Sequence, residues 1–168
     1  RLWLYYKPVG LITTHHDPQN RPTVFEALKP YLPRVISVGR LDLNSEGLLL
    51  LTNSGTLAQE LESPKNNFAR VYKVRAHGKV SSLITYIIHN KSRPLTIDNI
   101  TYTPKSIRLI SEGVTNSWFE VILTEGKNRE IRKIFAYFSL KVNRLIRVKY
   151  GKYDLGNLKP GEFKEVRV

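Results

Sequence analysis

Residues 35–52, VISVGRLDLNSEGLLLLT, carry the clearest information about the fold of this chain. Residues 35–38 predict a short strand, and residues 47–52 predict a second strand that is apolar almost throughout. A strand without polar alternation is typical of one that is buried on both faces of a sheet. The polar loop between the two strands carries four side chains capable of chemistry: Arg40, Asp42, Asn44 and Glu46.

The remaining chain alternates between strand and helix patterns, and it contains no internal repeat. Further strands are predicted at residues 2–6, 71–76, 107–110, 118–123, 145–148 and 163–168. Helices are predicted at residues 24–28 with Thr23 as the cap, after a cap at Ser54 or Thr56, at residues 83–89, and at residues 128–138 with Asn128 as the cap. We therefore expect an α+β protein with a mixed, largely antiparallel sheet flanked by helices.

Length and composition limit the function classes. The 168 residues predict one domain over residues 1–168, or two small lobes sharing a core. Cys is absent, which excludes thiol nucleophiles, disulfides and thiolate metal sites, and the four His lack metal-binding spacing, so we predict no metal. No run is long enough for a membrane helix and no export signal is visible, so we expect a cytoplasmic protein without a membrane partner.

Positive charge dominates the chain and is concentrated near its end. The formal net charge is +13, and residues 127–152 hold nine basic residues against one acid, Glu130. Apolar residues at helix and strand spacing separate these bases, so the stretch belongs to a folded basic surface. A solvated Lys/Arg face is the simplest alternative, but the size of the surplus favours a nucleic acid, because neutralised phosphates release counter-ions.

Three residues stand out as candidates for chemistry, each with a structural alternative. Asp42 lies between two apolar strands, where an ionised carboxylate needs Arg or backbone donors; otherwise it simply closes an Asx turn. Tyr72 is either a core ring or a flat surface for a nucleobase. Arg132 flanks the apolar stripe of the predicted helix, where it either points outward or reaches inward to a carboxylate.

Taken together, these stretches resemble a known family. Residues 39–55 (GRLDLNSEGLLLLTNSG), Tyr72 with Lys73, and residues 126–132 (GKNREIR) look like ribosomal pseudouridine synthases of the RsuA/RluB type. Residues 6–10 (YKPVG) and 143–151 fit the same family, and residues 143–148 look closer to its large-subunit branch. Family members usually carry an N-terminal S4 RNA-binding domain. The chain starts where such a domain should end, without an initiator Met, so we expect that domain upstream.

The resemblance implies a role for each matching residue. Asp42 would be the essential catalytic carboxylate, Tyr72 would stack on the uracil, and Arg132 would pair with the aspartate. Leu145 or Ile146 would supply the apolar wall of the base pocket. The residues expected to contact RNA are Arg40, Lys73, Lys127, Asn128, Arg129, Lys133, Lys141, Arg144, Arg147 and Lys149.

The implied reaction turns uridine into pseudouridine. It involves no net redox change and adds no group, so no cofactor is expected. One carboxylate suffices, and attack on the sugar, attack on the base and abstraction of a ribose proton all stay open. We expect a monomer acting on ribosomal RNA, with 23S RNA favoured over 16S RNA. The alternative is a non-catalytic RNA-binding or ribosome-assembly factor that uses the same basic surface.

Overall fold

A computed structural model describes residues 1–89 and 94–168. The strands in this part of the chain are β1 (Leu2–Lys7), β2 (Ile36–Val38), β3 (Glu46–Thr52), β4 (Arg70–His77), β5 (Leu95–Ile97), β6 (Ile100–Tyr102), β7 (Ser106–Glu112), β8 (Asn116–Leu123), β9 (Lys141–Tyr150), β10 (Tyr153–Asp154) and β11 (Phe163–Val166). The helices are α1 (Val24–Leu28), α2 (Gly55–Glu62), α3 (Ser81–His89) and α4 (Glu130–Tyr137), and Pro64–Asn66 form a 3-10 turn.

The chain forms two compact units. Unit 1 combines Arg1–Phe68 with Ile146–Val168, and unit 2 is the continuous segment Ala69–Leu145. The division falls inside β9, so that strand begins in unit 2 and ends in unit 1. Unit 1 is therefore built from two separate stretches of sequence, and unit 2 is inserted between them.

Unit 1 is organised around β3, which is buried along its whole length. β3 pairs antiparallel with β1 and β2, and β1 pairs antiparallel with β11 on its other side. β9 joins β3 in parallel, with Glu46 opposite Ile146 and Gly47 opposite Arg147. The prediction of a strand at residues 47–52 buried on both faces is confirmed, because β3 has strands on both edges and apolar residues on both faces.

The helices of unit 1 begin at short polar caps. The hydroxyl of Thr23 accepts the N–H of Glu26 at 3.1 Å, as predicted for α1. At α2 the cap is Ser54, whose hydroxyl accepts the N–H of Leu57 at 3.2 Å, and Thr56 lies inside the helix. These bonds satisfy N–H groups that the first turn of a helix leaves without partners.

Unit 2 has a sheet with two unlike faces, in the order β9-β4-β8-β7. On one face, Val74 of β4 lies opposite Phe119 of β8, and both are fully buried. The hydrophobic cluster on this face includes Leu83 of α3 and Ile134 of α4, so both helices of unit 2 pack there. The sheet alternates as a half-buried strand pattern predicts, and its second face carries exposed and half-buried side chains, most of them polar.

Several details differ from the sequence-based expectation, and those in unit 2 matter most. β9 covers Lys141–Tyr150 instead of residues 145–148, and α4 begins at Glu130 instead of residue 128. The pattern also missed the β5–β6 hairpin. The mixed, largely antiparallel α+β architecture is confirmed. In the part of the chain that the structure describes, no helix is long and apolar enough to span a bilayer.

Candidate active site

Asp42 lies in the loop between β2 and β3, and its side chain is exposed. Hydrogen bonds fix the backbone on both sides of it. The hydroxyl of Thr13 donates to the carbonyl of Leu41 at 3.0 Å and accepts the N–H of Leu41 at 3.4 Å. The carbonyl of Leu43 accepts the backbone N–H of Gly10 at 2.9 Å. The loop therefore presents an exposed carboxylate from a restrained backbone.

The exposure of Asp42 corrects one step of the sequence argument. A position between two apolar strands suggested a carboxylate removed from water, which would need compensating donors. The loop instead carries Asp42 out to solvent, and Arg40 in the same loop is also exposed. The turn is closed by a backbone bond from Ser45 N–H to the carbonyl of Asp42 at 3.0 Å.

A fully buried lysine supports this loop from inside unit 1. Lys7 is the last residue of β1, and its Nζ donates to the carbonyl oxygens of Ser45 at 2.7 Å and of Pro8 at 2.9 Å. Burial lowers the pKa of Lys7 to about 8, and the negative charges of Asp42 and Glu46 oppose that fall. A cationic group thus lies beneath the loop that carries the candidate carboxylate.

The start of β3 is tightly packed around Gly47. Its φ of +109° is a conformation that L side chains rarely adopt, and a Cβ at this position would lie 2.3 Å from the carbonyl oxygen of Arg147. Beside it, the hydroxyl of Tyr6 donates to Oε1 of the buried Glu46 at 2.6 Å. The loop after Asp42 therefore enters the sheet at a position that accommodates only glycine.

Arg147 is a correction to the predicted RNA-contacting set. Its side chain is 3% exposed, and its Nε donates to the carbonyl of Leu48 at 2.8 Å. The guanidinium also lies over the Tyr150 ring, 5.2 Å from its centre. Arg147 therefore serves the structure of unit 1, since a buried guanidinium cannot reach a phosphate outside.

Unit 2 contains Tyr72, Arg132 and Leu145, three of the predicted site residues. Tyr72 is half-buried and packs against the hydrophobic cluster to which Leu145 belongs. Arg132 is on α4, which lies on the same face of the sheet, and its Nη1 donates to the carbonyl of Val142 at 3.4 Å. Arg132 is half-buried, and whether it pairs with a carboxylate, the inward alternative, stays a prediction. Ile146, the other pocket candidate, is buried and begins the second stretch of unit 1.

The loop before α4 is held by the side chain of Arg70 on β4 and by bonds from its own side chains to the backbone of β6 and of the residue after it. Arg70 donates from Nη2 to the carbonyl of Glu125 at 2.6 Å, and the Glu125 carboxylate accepts the N–H of Thr103 at 3.0 Å. Lys127 donates from Nζ to the carbonyl of Thr101. The loop is therefore an ordered part of unit 2, and Lys127 already has a partner within the protein.

The predicted cap of α4 is wrong. The N-cap residue is Arg129, in a left-handed conformation with φ of 51° and without a side-chain capping bond, and Asn128 lies outside the helix. The next residue, Glu130, is 2% exposed. Burial and the adjacent Glu125 carboxylate raise the pKa of Glu130 to about 8, because both disfavour its ionised form.

Most of the predicted RNA-contacting side chains are accessible. The exposed ones are Arg40, Lys73, Lys127, Asn128, Arg129, Lys141 and Lys149, and the half-buried ones are Lys133 and Arg144. Sequence reasoning missed Lys7 and Glu130 as buried ionisable groups. For Glu130, the four-residue spacing to Ile134 places it beside the apolar stripe of α4, which is a signal the pattern did contain.

The comparisons with known proteins cover both units of the chain. The family model described as RNA pseudouridylate synthase matches residues 1–137. The chain belongs to the RNA pseudouridylate synthase family. The prediction of an RNA pseudouridine synthase, an isomerase, is therefore confirmed at the level of the family, as is the resemblance from which it came.

Relatives of this pseudouridine synthase family member occur in several bacteria. It is 61% identical over 166 residues to an RNA pseudouridine synthase of Rickettsia typhi, covering 99% of this chain and 66% of that protein. It is 42% identical over 171 residues to the ribosomal large subunit pseudouridine synthase B of Buchnera aphidicola, covering 99% of this chain and 67% of that protein. The chain thus spans about two thirds of the length of these relatives.

The solved structures agree with the fold. A crystal structure of a pseudouridylate synthase superposes with a TM-score of 0.81 at 24% identity, covering 99% of this chain and 70% of the other. An H/ACA ribonucleoprotein bound to a substrate RNA gives a TM-score of 0.66 at 16% identity, covering 91% of this chain and 48% of the other. The α+β architecture is the one found in this family.

Proposed function

We propose that this protein isomerises a uridine of 23S ribosomal RNA to pseudouridine, with Asp42 as the essential carboxylate. The observation that carries the proposal is the restrained loop between β2 and β3, which holds Asp42 exposed while Thr13 and Gly10 fix the backbone on either side. A restrained backbone limits the positions that the Asp42 carboxylate can take, so less conformational entropy is lost when it meets a reacting nucleotide.

The reaction requires one bond to break and another to form. The N1–C1′ glycosidic bond breaks, the uracil turns, and a C5–C1′ bond forms, with a proton lost from C5 and one gained at N1. Asp42 acts as nucleophile or base in this sequence, and its exposure lets an extruded nucleotide approach it. Extrusion of the base costs a few kcal/mol, which contacts in the pocket must offset.

The remaining proposed roles are divided between residues of unit 2 and Ile146 and Lys149 of unit 1. Tyr72 is half-buried on the face that carries α4, where an aromatic ring offers a flat surface to a uracil. Arg132 contributes a positive charge held by the carbonyl of Val142, and Leu145 and Ile146 contribute apolar walls. The exposed bases Arg129, Lys141 and Lys149 contact flanking phosphates and set affinity more than sequence choice.

The choice of 23S RNA rests on the relatives named ribosomal large subunit pseudouridine synthase B, which are 41–42% identical to this chain. A ribosomal RNA substrate also agrees with a cytoplasmic site of action and with the net charge of +13. Incubation with 23S and 16S transcripts in parallel tests this choice. We expect pseudouridine in the 23S transcript; modification of the 16S transcript alone would contradict it.

The catalytic assignment is tested with Asp42→Asn, measured by release of tritium from C5 of labelled uridine. We expect product formation to fall by at least about 10³-fold, because removal of an essential nucleophile or base acts on every turnover. RNA affinity should change little. The matched control is Asp98→Asn, an exposed aspartate at the left-handed turn of the β5–β6 hairpin, where asparagine is equally suited.

The outcome separates an enzyme from an RNA-binding factor. Loss of tritium release in Asp42→Asn, with full activity in Asp98→Asn, supports the assignment. Undiminished release in Asp42→Asn would exclude Asp42 as the catalytic group. RNA binding by the unsubstituted protein without any release of tritium would favour the non-catalytic alternative.

A further inference from the structure

The second face of the sheet of unit 2 carries a set of polar and aromatic side chains, of which the proposed function uses only Lys141, as a contact to a flanking phosphate. Cross-strand pairs define it: Lys73 lies opposite Glu120, Arg75 lies opposite Trp118, and Trp118 also lies opposite Ser111 of β7. Paired residues point to the same side of a sheet. This side is opposite to Val74 and Phe119, whose face carries the hydrophobic cluster and both helices of unit 2. We call it the polar face.

A chain of side-chain hydrogen bonds orders the centre of the polar face. Arg75 donates from Nε to the Oδ1 atom of Asn143 at 2.8 Å, and Asn143 donates from Nδ2 to the Oδ1 atom of Asn116 at 2.7 Å. The three residues come from β4, β9 and β8. Arginine in such a chain has part of its conformational freedom already restricted, so less is lost when it meets a ligand.

Trp118 lies beside this chain and is half-buried, so part of its ring is accessible. The guanidinium carbon of Arg75 is 5.9 Å from the ring centre. Proteins bind single-stranded bases with this arrangement of a tryptophan on an open sheet next to an arginine. Any base can stack on the tryptophan because every base has a flat surface, and the arginine can contact the phosphates of the RNA backbone.

The charge of the polar face favours an anionic ligand. Its basic side chains are Lys73, Arg75, Arg108 and Lys141, of which Lys141 alternates with the buried Val142. The acid among its cross-strand pairs, Glu120, is already joined to Arg108 at 3.3 Å. A protein partner with an acidic surface could use the charge, but not the stacking geometry of Trp118, as fully as RNA can.

We propose that the polar face of unit 2 binds a single-stranded segment of RNA, with Trp118 stacking on a base and Arg75, Lys73 and Lys141 contacting phosphates. The inference rests on the proposed function only in taking the ligand to be part of the ribosomal RNA substrate. Binding here would extend the contacts with the substrate beyond the nucleotide that reacts.

The first test measures the affinity of the whole chain for a fluorescein-labelled, unstructured oligoribonucleotide of about 12 nucleotides. We expect Trp118→Ala to weaken binding by about 5- to 150-fold, the range that alanine replacement of a stacking aromatic produces, and Trp118→Phe to retain most of the affinity. Arg75→Gln should reduce the slope of log K against log salt by about 0.7, since one phosphate contact on a single strand is lost. The controls are Tyr31→Ala, an aromatic that is 70% exposed in unit 1, and Lys164→Ala on β11.

The second test does not depend on a variant that weakens unit 2. The chain has two tryptophans, and the other is Trp3, which is 2% exposed. In a Trp3→Phe protein all tryptophan fluorescence comes from Trp118, and we expect saturable quenching by the same oligoribonucleotide. Unchanged fluorescence at saturating RNA, or equal affinity in Trp118→Ala and Tyr31→Ala, would overturn the proposal.

Two further outcomes are decisive. If Trp118→Ala converts a dimer into a monomer in light scattering and leaves RNA affinity unchanged, the polar face is a protein interface and the proposal is wrong. If the oligoribonucleotide quenches Trp118 but the protein releases no tritium from C5 of uridine, the RNA surface stands and the proposed catalysis fails. If the protein releases tritium and Trp118→Ala leaves RNA affinity unchanged, the proposed catalysis stands and the RNA surface fails.

Discussion

The Nζ atom of Lys7 donates a 2.7 Å hydrogen bond to the carbonyl oxygen of Ser45, three residues after Asp42. Lys7 is completely buried, and its second bond goes to the carbonyl of Pro8. A buried ammonium is costly unless its donors are used and opposite charges are near. The side chain of Lys7 therefore connects the end of β1 to the loop that presents Asp42.

Replacement of Lys7 by methionine should reveal its titration in the stability of the protein. The pKa of Lys7 is about 8 in the folded state and near its ordinary value of 10.5 in the unfolded chain. Above pH 8 the unfolded chain binds the proton more tightly, so this group adds stability as the pH rises. The unfolding free energy of the unsubstituted protein, minus that of Lys7→Met, should increase by about 2 kcal/mol from pH 7.5 to 9.5. A difference that stays constant in urea titrations over this range would contradict the buried charge.

Thr13→Val should impair turnover without a matching loss of RNA affinity. Valine keeps the shape of threonine but removes the hydroxyl that bonds both the N–H and the carbonyl of Leu41. We expect kcat for tritium release to fall by about tenfold, because Asp42 is held less firmly. The control is Thr14→Val, whose exposed hydroxyl donates to the carbonyl of His16 instead. Equal kcat in both variants would show that the Leu41 bonds do not position the carboxylate.

Gly47→Ala should destabilise the fold by about 3 kcal/mol or more, through backbone strain and a clash. The added Cβ would lie 2.3 Å from the carbonyl oxygen of Arg147, and both backbones are fixed in the sheet. Gly55→Ala is the control, because no atom lies within 4 Å of a Cβ at the first residue of α2. Gly55→Ala should leave stability equal or up to about 1 kcal/mol higher. Similar midpoints for both variants in urea unfolding would refute the close approach at Gly47.

Glu130→Gln should stabilise the protein at pH 8 by about 1–3 kcal/mol. The pKa of Glu130 is raised to about 8 in the folded state, while the unfolded chain ionises near the ordinary value of 4.5. Raising the pH from 5 to 8 therefore lowers the unfolding free energy of the unsubstituted protein. The uncharged amide of the variant causes no such loss of stability. The advantage of the variant should shrink toward pH 5, measured by urea unfolding at both values. Glu112→Gln, at an exposed position at the end of β7, serves as control, and an equal gain there would count against a buried acid.

Much of this fold is predictable because local patterns and tertiary burial agree. The apolar run at residues 47–52 belongs to β3, and the spacing of Ile131, Ile134 and Phe135 identifies the buried side of α4. Asn128 was chosen as a cap on intrinsic preference, but the chain turns at Arg129 in a left-handed conformation that arginine rarely adopts. Tertiary contacts of the preceding loop outweigh that preference.

The β5–β6 hairpin was missed although its turn left a signal. Asp98 and Asn99 both have positive φ, 49° and 66°, as a two-residue type I′ turn requires. The strands on either side are three residues each, too short for alternation to identify them. The burial of Arg147, by contrast, left no signal in the sequence, because Arg147 belongs to a stretch rich in basic residues. Its carbonyl partner, Leu48, is 99 residues away.

The two-segment composition of unit 1 has a consequence for synthesis of the protein. Unit 2 is continuous, so the whole of residues 69–145 is translated before residues 146–168. β1 and β3 are made early, but their edge partners β11 and β9 are complete only once residues 146–168 have been made. The nascent chain must therefore keep the most apolar strand of the protein out of intermolecular pairing while unit 2 folds, and translation speed over residues 69–145 sets how long that exposure lasts.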